Sequence, residues 1–258
     1  MKTVLRYCLL SGLIILLQAD IIAGDNNKQH VNQNKDHGLI TDIDGNRYKT
    51  VVIGSQVWMA EDLRTTRYND GTPISYPGND NVAWSLNQTG SYAWYDNDPE
   101  IKHSYGALYN WYAVSSNRLC LTGWRVPSDK DWTVLTEYIA SLGNEDIGNM
   151  LKSCLQKDSP LKGDCDTHEH PRWRQNSIHW GTDDFGFAGL PSGVRSSAGD
   201  YHAIGRYVIY WTSTQSSDNN GWSRGLDYKF GNVSRTQHYS KSFGFSVRCV
   251  RDLEYFKN

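Results

Sequence analysis

The clearest hydrophobic pattern in the chain lies between residues 128 and 142. Its apolar residues recur at i, i+3, i+7 and i+10, which is the spacing of one helical face. They are Trp132, Leu135, Ile139 and Leu142. Ser128 can accept a hydrogen bond from the backbone amide of Asp131 as an N-cap, and Gly143 suits the left-handed turn that ends many helices. The pattern predicts an amphipathic helix over residues 128–142.

A shorter apolar pattern covers residues 105–114, after the loop around Pro99. Leu108, Trp111 and Tyr112 are spaced so that a helix would place them on one face. The pattern therefore predicts a second helix, over residues 105–114.

Strand patterns flank these helices. Near the start, Gly45 and Asn46 separate residues 39–40 from residues 48–53, which are rich in β-branched side chains. This arrangement favours a hairpin. After Gly181, short alternating segments are separated by Gly, Asn, Asp and Ser, as in antiparallel strands joined by loops. These predicted strands cover residues 185–190, 207–212, 222–230 and 243–251. The order of elements predicts an α+β domain.

The N-terminus has the pattern of a secretory signal. Lys2 and Arg6 precede an apolar run over residues 8–17, and small residues follow it. The run is about half of the roughly 20 residues that a membrane span needs, so no transmembrane segment is expected after signal removal. We therefore divide the chain into a signal (1–24), a polar flexible linker (25–38), one domain (39–253) and a short tail (254–258).

Composition and charge narrow the function classes. The chain is 38% hydrophobic and 12% aromatic, with 23 Gly and 7 Pro, which is typical of a folded domain with many turns. Its formal net charge of −2 provides no general basic field, so nucleic acid is not an expected partner. The 10 Trp and 16 Tyr suit both cores and sugar-binding surfaces, and they do not decide between them.

Four cysteines remain once Cys8 leaves with the signal, and four cysteines allow three pairings. Cys154 and Cys165 bracket a short polar loop, whereas Cys120 and Cys249 each lie beside an apolar segment. In an oxidising compartment this favours two disulfides, Cys154 with Cys165 and Cys120 with Cys249. Buried free thiols are the alternative.

Six blocks of sequence follow one another between about residue 39 and residue 253. They are DGN (44–46) with YKTV (48–51), QVWMAEDLR (56–64), YGALYNW (105–111), LC (119–120) with GWRVPS (123–128), GTD (181–183) with GF (186–187), and GFSVRCVRD (244–252). In this order they resemble the Fibrobacter succinogenes major paralogous domain family. That family is similar to C-type lectin-like and formylglycine-generating-enzyme-like domains of exported or surface-associated bacterial proteins. The resemblance implies a disulfide-stapled C-type lectin-like fold.

The resemblance also implies a binding function, because lectin-like folds usually bind ligands on long loops between late strands. Here those loops fall within residues 192–241. The expected function is an exported or cell-surface binding module that recognises a glycan or protein ligand through these C-terminal loops. Candidate ligand-binding residues are Tyr201, His202, Trp211, Trp222, Arg224, Tyr228, His238 and Tyr239. Trp211 and Trp222 lie in predicted strands, and a core position is the alternative for both.

Several motifs suggest chemistry that we do not expect here. Residues 221–225 satisfy the G-x-S-x-G pattern of hydrolases, but a strand-like run follows instead of a helix. His168 and His170, with Cys165 or Glu169, could ligate a transition metal. A disulfide at Cys165 would remove its thiolate, and a solvated acidic loop is the default. The triplets of calcium-dependent lectins do not occur, so no metal or cofactor is expected.

Two other function classes remain as alternatives. A structural or adhesin subunit of a surface assembly is compatible with the same composition. An oxidase of the formylglycine-generating type would need reactive, accessible cysteines, whereas Cys249 is paired in the expected scheme. The chain is therefore expected not to be an enzyme.

Overall fold

The computed structural model describes residues 38–253. The predicted signal, the predicted linker except Gly38, and the predicted tail lie outside the described residues. Within them, short helices lie between an N-terminal hairpin and a strand-rich second half, and the paired strands run mostly antiparallel. The predicted α+β class is therefore confirmed.

Eleven strands and five α-helices make up the described secondary structure. The strands are β1 (Gly38–Thr41), β2 (Arg47–Ile53), β3 (Gln56–Met59), β4 (Tyr92–Ala93), β5 (Leu108–Tyr109), β6 (Val194–Arg195), β7 (Tyr201–His202), β8 (Tyr207–Gln215), β9 (Asn220–Asp227), β10 (Ser234–Ser240) and β11 (Val250–Asp252). The α-helices are α1 (Asn81–Leu86), α2 (Lys102–Tyr105), α3 (Trp111–Val114), α4 (Asp129–Ser141) and α5 (Ile147–Leu151). Single 3-10 turns cover Tyr95–Asn97, Pro99–Ile101 and Gly163–Cys165.

Two antiparallel sheets form the framework. The first has the strand order β1-β2-β3-β11, and the second has the order β10-β9-β8. In the first sheet, Trp58 of β3 lies opposite Val51 of β2 and Val250 of β11. The predicted hairpin of β1 and β2 is confirmed. Because β11 pairs with β3, the beginning and the end of the described chain meet in one sheet.

Strand β8 lies between two hydrophobic clusters. Its residues alternate between the two faces of the sheet. Trp211 is buried in the first cluster with Tyr109 and Phe245. Val208 and Tyr210 are buried in the second, which also holds the tryptophans of β3 and α4. The second sheet therefore has a packed core on both faces.

Both predicted disulfides are confirmed. Cys120 is bonded to Cys249 across a sequence separation of 129, and Cys154 to Cys165 across a separation of 11. Cys120 and Cys249 are buried in the first hydrophobic cluster, whereas the loop between Cys154 and Cys165 is largely exposed. The longer link joins the middle of the chain to its last strand inside the core.

Helix α4 confirms the strongest sequence prediction. Ser128 accepts a hydrogen bond from the Asp131 amide, and the Asp131 carboxylate accepts from the Ser128 amide, which completes a capping box. The predicted apolar face is buried except at its last position, because Leu142 lies beyond the helix and is 43% exposed. Gly143 has φ +81°, as expected for the residue that ends the helix.

Replacing Ser128 with Ala is expected to lower the free energy of unfolding by about 1 kcal/mol, because the Asp131 amide loses its acceptor. Urea denaturation followed by tryptophan fluorescence measures the change. The matched control is Ser128→Thr, which keeps a hydroxyl and should differ from the native protein by only a few tenths of a kcal/mol. Equal losses in both variants would contradict the capping role.

The predicted helix over residues 105–114 is confirmed only at its two ends, at Tyr105 and over Trp111–Val114. Helix α2 ends at Tyr105, and Gly106 has φ +69°, which breaks the helical path. Residues 108–109 form β5, which pairs with β4. Asn110 then caps the short helix α3, since its side chain accepts from the Ala113 amide. Local glycine and asparagine signals therefore override the apolar spacing.

Two predicted strands also need correction. Residues 185–190 form no strand, because Gly186 and Ala188 have φ of +68° and +51°, outside the β region. Residues 243–251 contain only the first two residues of β11 as strand, although Phe245 forms a bridge with Tyr109. The polar edge strand β10 was not predicted. Strands β8 and β9 confirm the other two predictions, with shifted ends.

Candidate functional site

One concave site in the described residues is a cleft of about 480 Å³. We call it the cleft throughout. One wall is the segment after β3 together with β2 and α2, and the other is formed by residues 153–155, 171 and 183–190. Its lining residues are Lys49, Ala60, Glu61, Asp62, Arg64, His103, Ser104, Gly106, Ser153, Leu155, Pro171, Asp183, Gly186, Ala188 and Leu190.

Backbone hydrogen bonds fix the segment that carries Asp62. The Met59 amide donates to the Cys249 carbonyl at 3.0 Å, and the Leu63 amide donates to the Val247 carbonyl at 2.8 Å. A Cβ atom on Gly106 would lie 2.7 Å from the Cβ of Asp62, so only glycine fits there. Since Cys249 is held by a disulfide in the core, these bonds attach the Asp62 segment to a fixed part of the chain.

Asp62, which lines the cleft, is in a buried ion pair with Arg248, which does not line it. The Arg248 Nε donates to Asp62 Oδ1 at 2.6 Å, and the two side chains are 1% and 3% exposed. The Tyr210 hydroxyl donates to the same oxygen at 3.3 Å. Arg248 also donates to the backbone carbonyls of Phe187 and Ala188. The guanidinium therefore ties Asp62 to the opposite wall of the cleft.

Burial and the neighbouring charge shift the pKa of Asp62 in opposite directions. Burial raises the pKa of the Asp62 carboxyl, and the charge of the adjacent Arg248 guanidinium limits that rise. Burial also raises the pKa of Tyr210 well above its ordinary value, so Tyr210 stays a neutral donor. Behind the cleft lining, Asp62 thus contacts one guanidinium and one neutral phenol.

Three buried polar atoms on residues that line the cleft have no hydrogen-bond partner among the described residues. They are Asp62 Oδ2, Arg64 Nε and Ser153 Oγ. Asp62 and Ser153 are only 6% and 5% exposed. Buried polar atoms are almost always hydrogen-bonded in folded proteins, so such a group needs an explanation. The three atoms are themselves screened from solvent, so a polar molecule in the cleft would reach them only after a neighbouring side chain moves.

The polar residues around the rim are held in place. The Glu61 carboxylate accepts from the Lys49 amide at 2.7 Å and lies 3.5 Å from the Arg64 guanidinium. The Asp183 carboxylate accepts from the Ala188 amide at 2.7 Å. Acidic and basic side chains at the rim are therefore held in fixed positions.

Two of the predicted ligand-binding residues, Trp211 and Arg224, lie in the interior. Trp211 is 0% exposed, packs 4.4 Å from the Phe245 ring, and donates from Nε1 to the Tyr109 carbonyl. Arg224 is 5% exposed and is paired with Asp129 at the start of α4 at 2.8 Å. Both residues hold the fold together and present nothing to a ligand.

The other six predicted residues are partly or fully exposed, but none lines the cleft. Trp222 lies under the Arg235 guanidinium, 4.1 Å away, and Arg235 is paired with Asp129. Tyr239 packs against the rings of Phe243 and Phe245. Tyr201 donates to the Asn97 side chain. His202 lies in β7, Tyr228 directly after β9, and His238 in β10. Whether these six residues bind a ligand stays a prediction.

Sequence reasoning missed Asp62 and Arg248 as site residues. Arg248 lies between Val247 and Cys249, and both neighbours are buried. A charge inside an apolar segment is a signal for a buried partner. Its partner is 186 positions away in the sequence, so spacing could not identify Asp62.

The other chemical motifs do not form reactive sites. Residues 221–225 lie within β9, where Ser223 donates to the Thr236 carbonyl. Cys165 is in a disulfide, and a ring nitrogen of His170 is hydrogen-bonded to the Tyr105 hydroxyl at 2.5 Å. Asp158, Asp166 and His168 offer ligand atoms within 4.8 Å of one another, which differs from the predicted set.

No helix in residues 38–253 is long and apolar enough to cross a bilayer.

The comparisons with known proteins gave one match. A family model described as the Fibrobacter succinogenes major domain matches residues 51–251, which is well over half of the chain. The search of curated proteins and the search of solved structures found no match. The matched stretch lies inside the predicted domain of residues 39–253 and includes nearly all of the cleft, whose lining begins at Lys49.

Proposed function

This chain belongs to the Fibrobacter succinogenes major domain family, and we propose that it is a binding module that works outside the cytoplasmic membrane. Its ligand is a hydroxyl-rich molecule, such as the end of a glycan, and the binding site is the cleft. The sequence resemblance implies a ligand site on the loops between the late strands, whereas this proposal places the ligand in the cleft.

The observation that carries this proposal is the set of three buried atoms without a partner on residues that line the cleft. Asp62 Oδ2 needs a donor, Arg64 Nε needs an acceptor, and Ser153 Oγ can be either. A sugar hydroxyl both donates and accepts, so neighbouring hydroxyls match this set of groups. Leaving buried polar atoms unpaired costs about 1–3 kcal/mol each, which a complementary ligand would recover.

The size of the cleft favours a small ligand over a protein surface. About 480 Å³ lies within the range of roughly 300–1,000 Å³ that is usual for small-molecule sites. Leu155, Pro171 and Leu190 supply apolar contacts beside the polar groups. This mixture suits a sugar ring, which has polar edges and an apolar face.

The disulfides support the proposed location outside the cytoplasmic membrane, and the sheet topology supports a C-type lectin-like fold. Two disulfides fit an oxidising compartment, which is consistent with export. The sheet that joins the N-terminal hairpin to β11, together with the Cys120–Cys249 link, supports the C-type lectin-like architecture that the sequence resemblance implies. A rigid scaffold of this kind lowers the entropy cost of binding.

A binding role is favoured over the oxidase alternative by the state of the cysteines. Every cysteine within residues 38–253 is in a disulfide, so that part of the chain has no free thiol for oxidase chemistry. A structural or adhesin subunit is the second alternative. It would not need a cleft with unpaired buried polar atoms.

Ser153→Ala provides a sharp test, because the hydroxyl of Ser153 has no partner in the described protein. Its removal is expected to leave the free energy of unfolding unchanged or to raise it by up to about 1 kcal/mol. The affinity for a glycan identified on an array is expected to fall about 2- to 10-fold, since one hydrogen bond is lost. Urea denaturation and calorimetric titration measure the two effects.

The matched control is Ser177→Ala, an exposed serine outside the cleft, which should change neither quantity. Unchanged affinity in Ser153→Ala would contradict binding in the cleft. An array without any binder would contradict the glycan ligand, and a protein captured in its place would support the protein alternative.

A further inference from the structure

A second pocket, of about 220 Å³, carries a cluster of positive charge. We call it the basic pocket. It is lined by His170, Arg172, Arg174, Ile204, Gly205 and Arg206. None of these residues lines the cleft, although Pro171, which lies between the first two in sequence, does. The two sites are therefore adjacent but use different side chains.

Backbone hydrogen bonds hold the two segments of the basic pocket together. The Arg174 amide donates to the Gly205 carbonyl at 2.6 Å, and the Arg172 amide donates to the Tyr105 hydroxyl at 3.2 Å. The same hydroxyl is hydrogen-bonded to His170. Gly205 has φ +79°, a conformation that favours glycine. The arginines thus project from a fixed backbone.

The three arginines of the basic pocket have no ion pair among the described residues, whereas those near Asp62 and Asp129 are neutralised by those carboxylates. The Arg172 Nε donates to the His168 carbonyl at 2.9 Å. The side chains of Arg174 and Arg206 form no hydrogen bond within residues 38–253. Asp96 and Asp98 line a neighbouring hollow, but neither forms an ion pair with these arginines.

We propose that the basic pocket binds a tetrahedral oxyanion, carried as a sulfate or phosphate ester on the ligand. Each guanidinium offers several N–H donors in a planar fork that matches such an anion. None of the three guanidiniums is neutralised by a carboxylate of the described residues, so a bound anion would supply the opposite charge. Because the formal net charge of the chain is −2, the attraction is local to this pocket.

Binding of a free oxyanion in the basic pocket is independent of the proposed function, whereas the position of the ester on a glycan ligand rests on it. The probes are inorganic sulfate and inorganic phosphate, with chloride at equal ionic strength as the reference. Glucose 6-sulfate, glucose 6-phosphate and glucuronate then distinguish a sulfate ester, a phosphate ester and a carboxylate. The melting temperature and calorimetric titration measure binding.

Sulfate or phosphate is expected to raise the melting temperature of the native protein above the chloride reference, because a ligand that binds only the folded state stabilises it. The double variant Arg174→Gln/Arg206→Gln should lose that specific rise and bind the oxyanion at least about tenfold more weakly. Arg47→Gln is the matched control, because Arg47 is exposed on β2 and lines neither site.

The side chains of Arg174 and Arg206 form no hydrogen bond or ion pair within residues 38–253, so the double variant is expected to fold, and circular dichroism checks this. Arg174→Lys keeps the charge and loses the fork, so its affinity should lie between the native and double-variant values. An equal rise in the native protein and the double variant would overturn the proposal, because it would reflect the general stabilising effect of these salts. A preference for glucuronate over both esters would also overturn it.

Discussion

We expect Arg248→Met to lower the free energy of unfolding by about 3–5 kcal/mol at pH 7, since the Asp62 charge would then be buried without its partner. The variant also loses the hydrogen bonds from the guanidinium to the carbonyls of Phe187 and Ala188. Urea denaturation followed by tryptophan fluorescence measures the loss. The wall of the cleft formed by residues 187–188 is expected to loosen with it.

The pH dependence of this loss identifies its cause. Burial raises the pKa of Asp62 even in the native protein, and the guanidinium limits that rise. Without Arg248 the folded-state pKa rises further, so the folded variant binds more protons than the unfolded chain, and its stability falls as pH increases. The loss caused by Arg248→Met should therefore be smaller at pH 5 than at pH 7.

Arg251→Met is the matched control for this variant. Arg251 is half-buried on β11, over the ring of Trp124, and forms no ion pair within residues 38–253. Its replacement should change the free energy of unfolding by about 0.5 kcal/mol or less, with no dependence on pH between 5 and 7. Similar losses in the two variants would contradict the importance of the buried pair.

Replacing both Cys120 and Cys249 with Ala should lower the free energy of unfolding more than replacing Cys154 and Cys165. The sequence separation of 129 corresponds to a loop-closure contribution of about 5 kcal/mol to the free energy of unfolding. For Cys154 and Cys165, with a separation of 11, the same relation gives about 3 kcal/mol. The long link also keeps the segment with Val247 and Cys249 against the segment that carries Asp62.

The two double variants serve as controls for each other. Each is exported to an oxidising compartment so that the remaining disulfide forms, and each is unfolded in urea. A loss for Cys154/Cys165 that equals or exceeds the loss for Cys120/Cys249 would contradict the view that the core link supports the scaffold.

Local sequence signals predict the structure correctly where it depends on interactions between residues close in sequence. The helix after Ser128 has a cap, an apolar face and a terminating glycine, and all three are found in α4. The pairing of the cysteines followed from loop lengths and neighbouring apolar segments. Between residues 105 and 114, the apolar spacing was misleading because Gly106 and Asn110 set the backbone.

The cleft was beyond sequence reasoning because distant contacts form it. Asp62 meets Arg248 across 186 positions, and no periodic pattern connects them. Arg224 was predicted at a ligand surface, yet it pairs with Asp129, 95 positions away, inside the protein. Strand β10 was missed because a polar edge strand lacks the alternation that indicates a buried face. In each case tertiary contacts decided the role of the residue.

A crystal structure with the strongest-binding glycan from the array tests the cleft most directly as the ligand site. We expect a sugar hydroxyl within hydrogen-bond distance of Asp62 Oδ2, and a second polar group of the sugar paired with Ser153 Oγ. A glycan bound on the loops around Tyr201 or Trp222, with the cleft empty, would contradict the assignment.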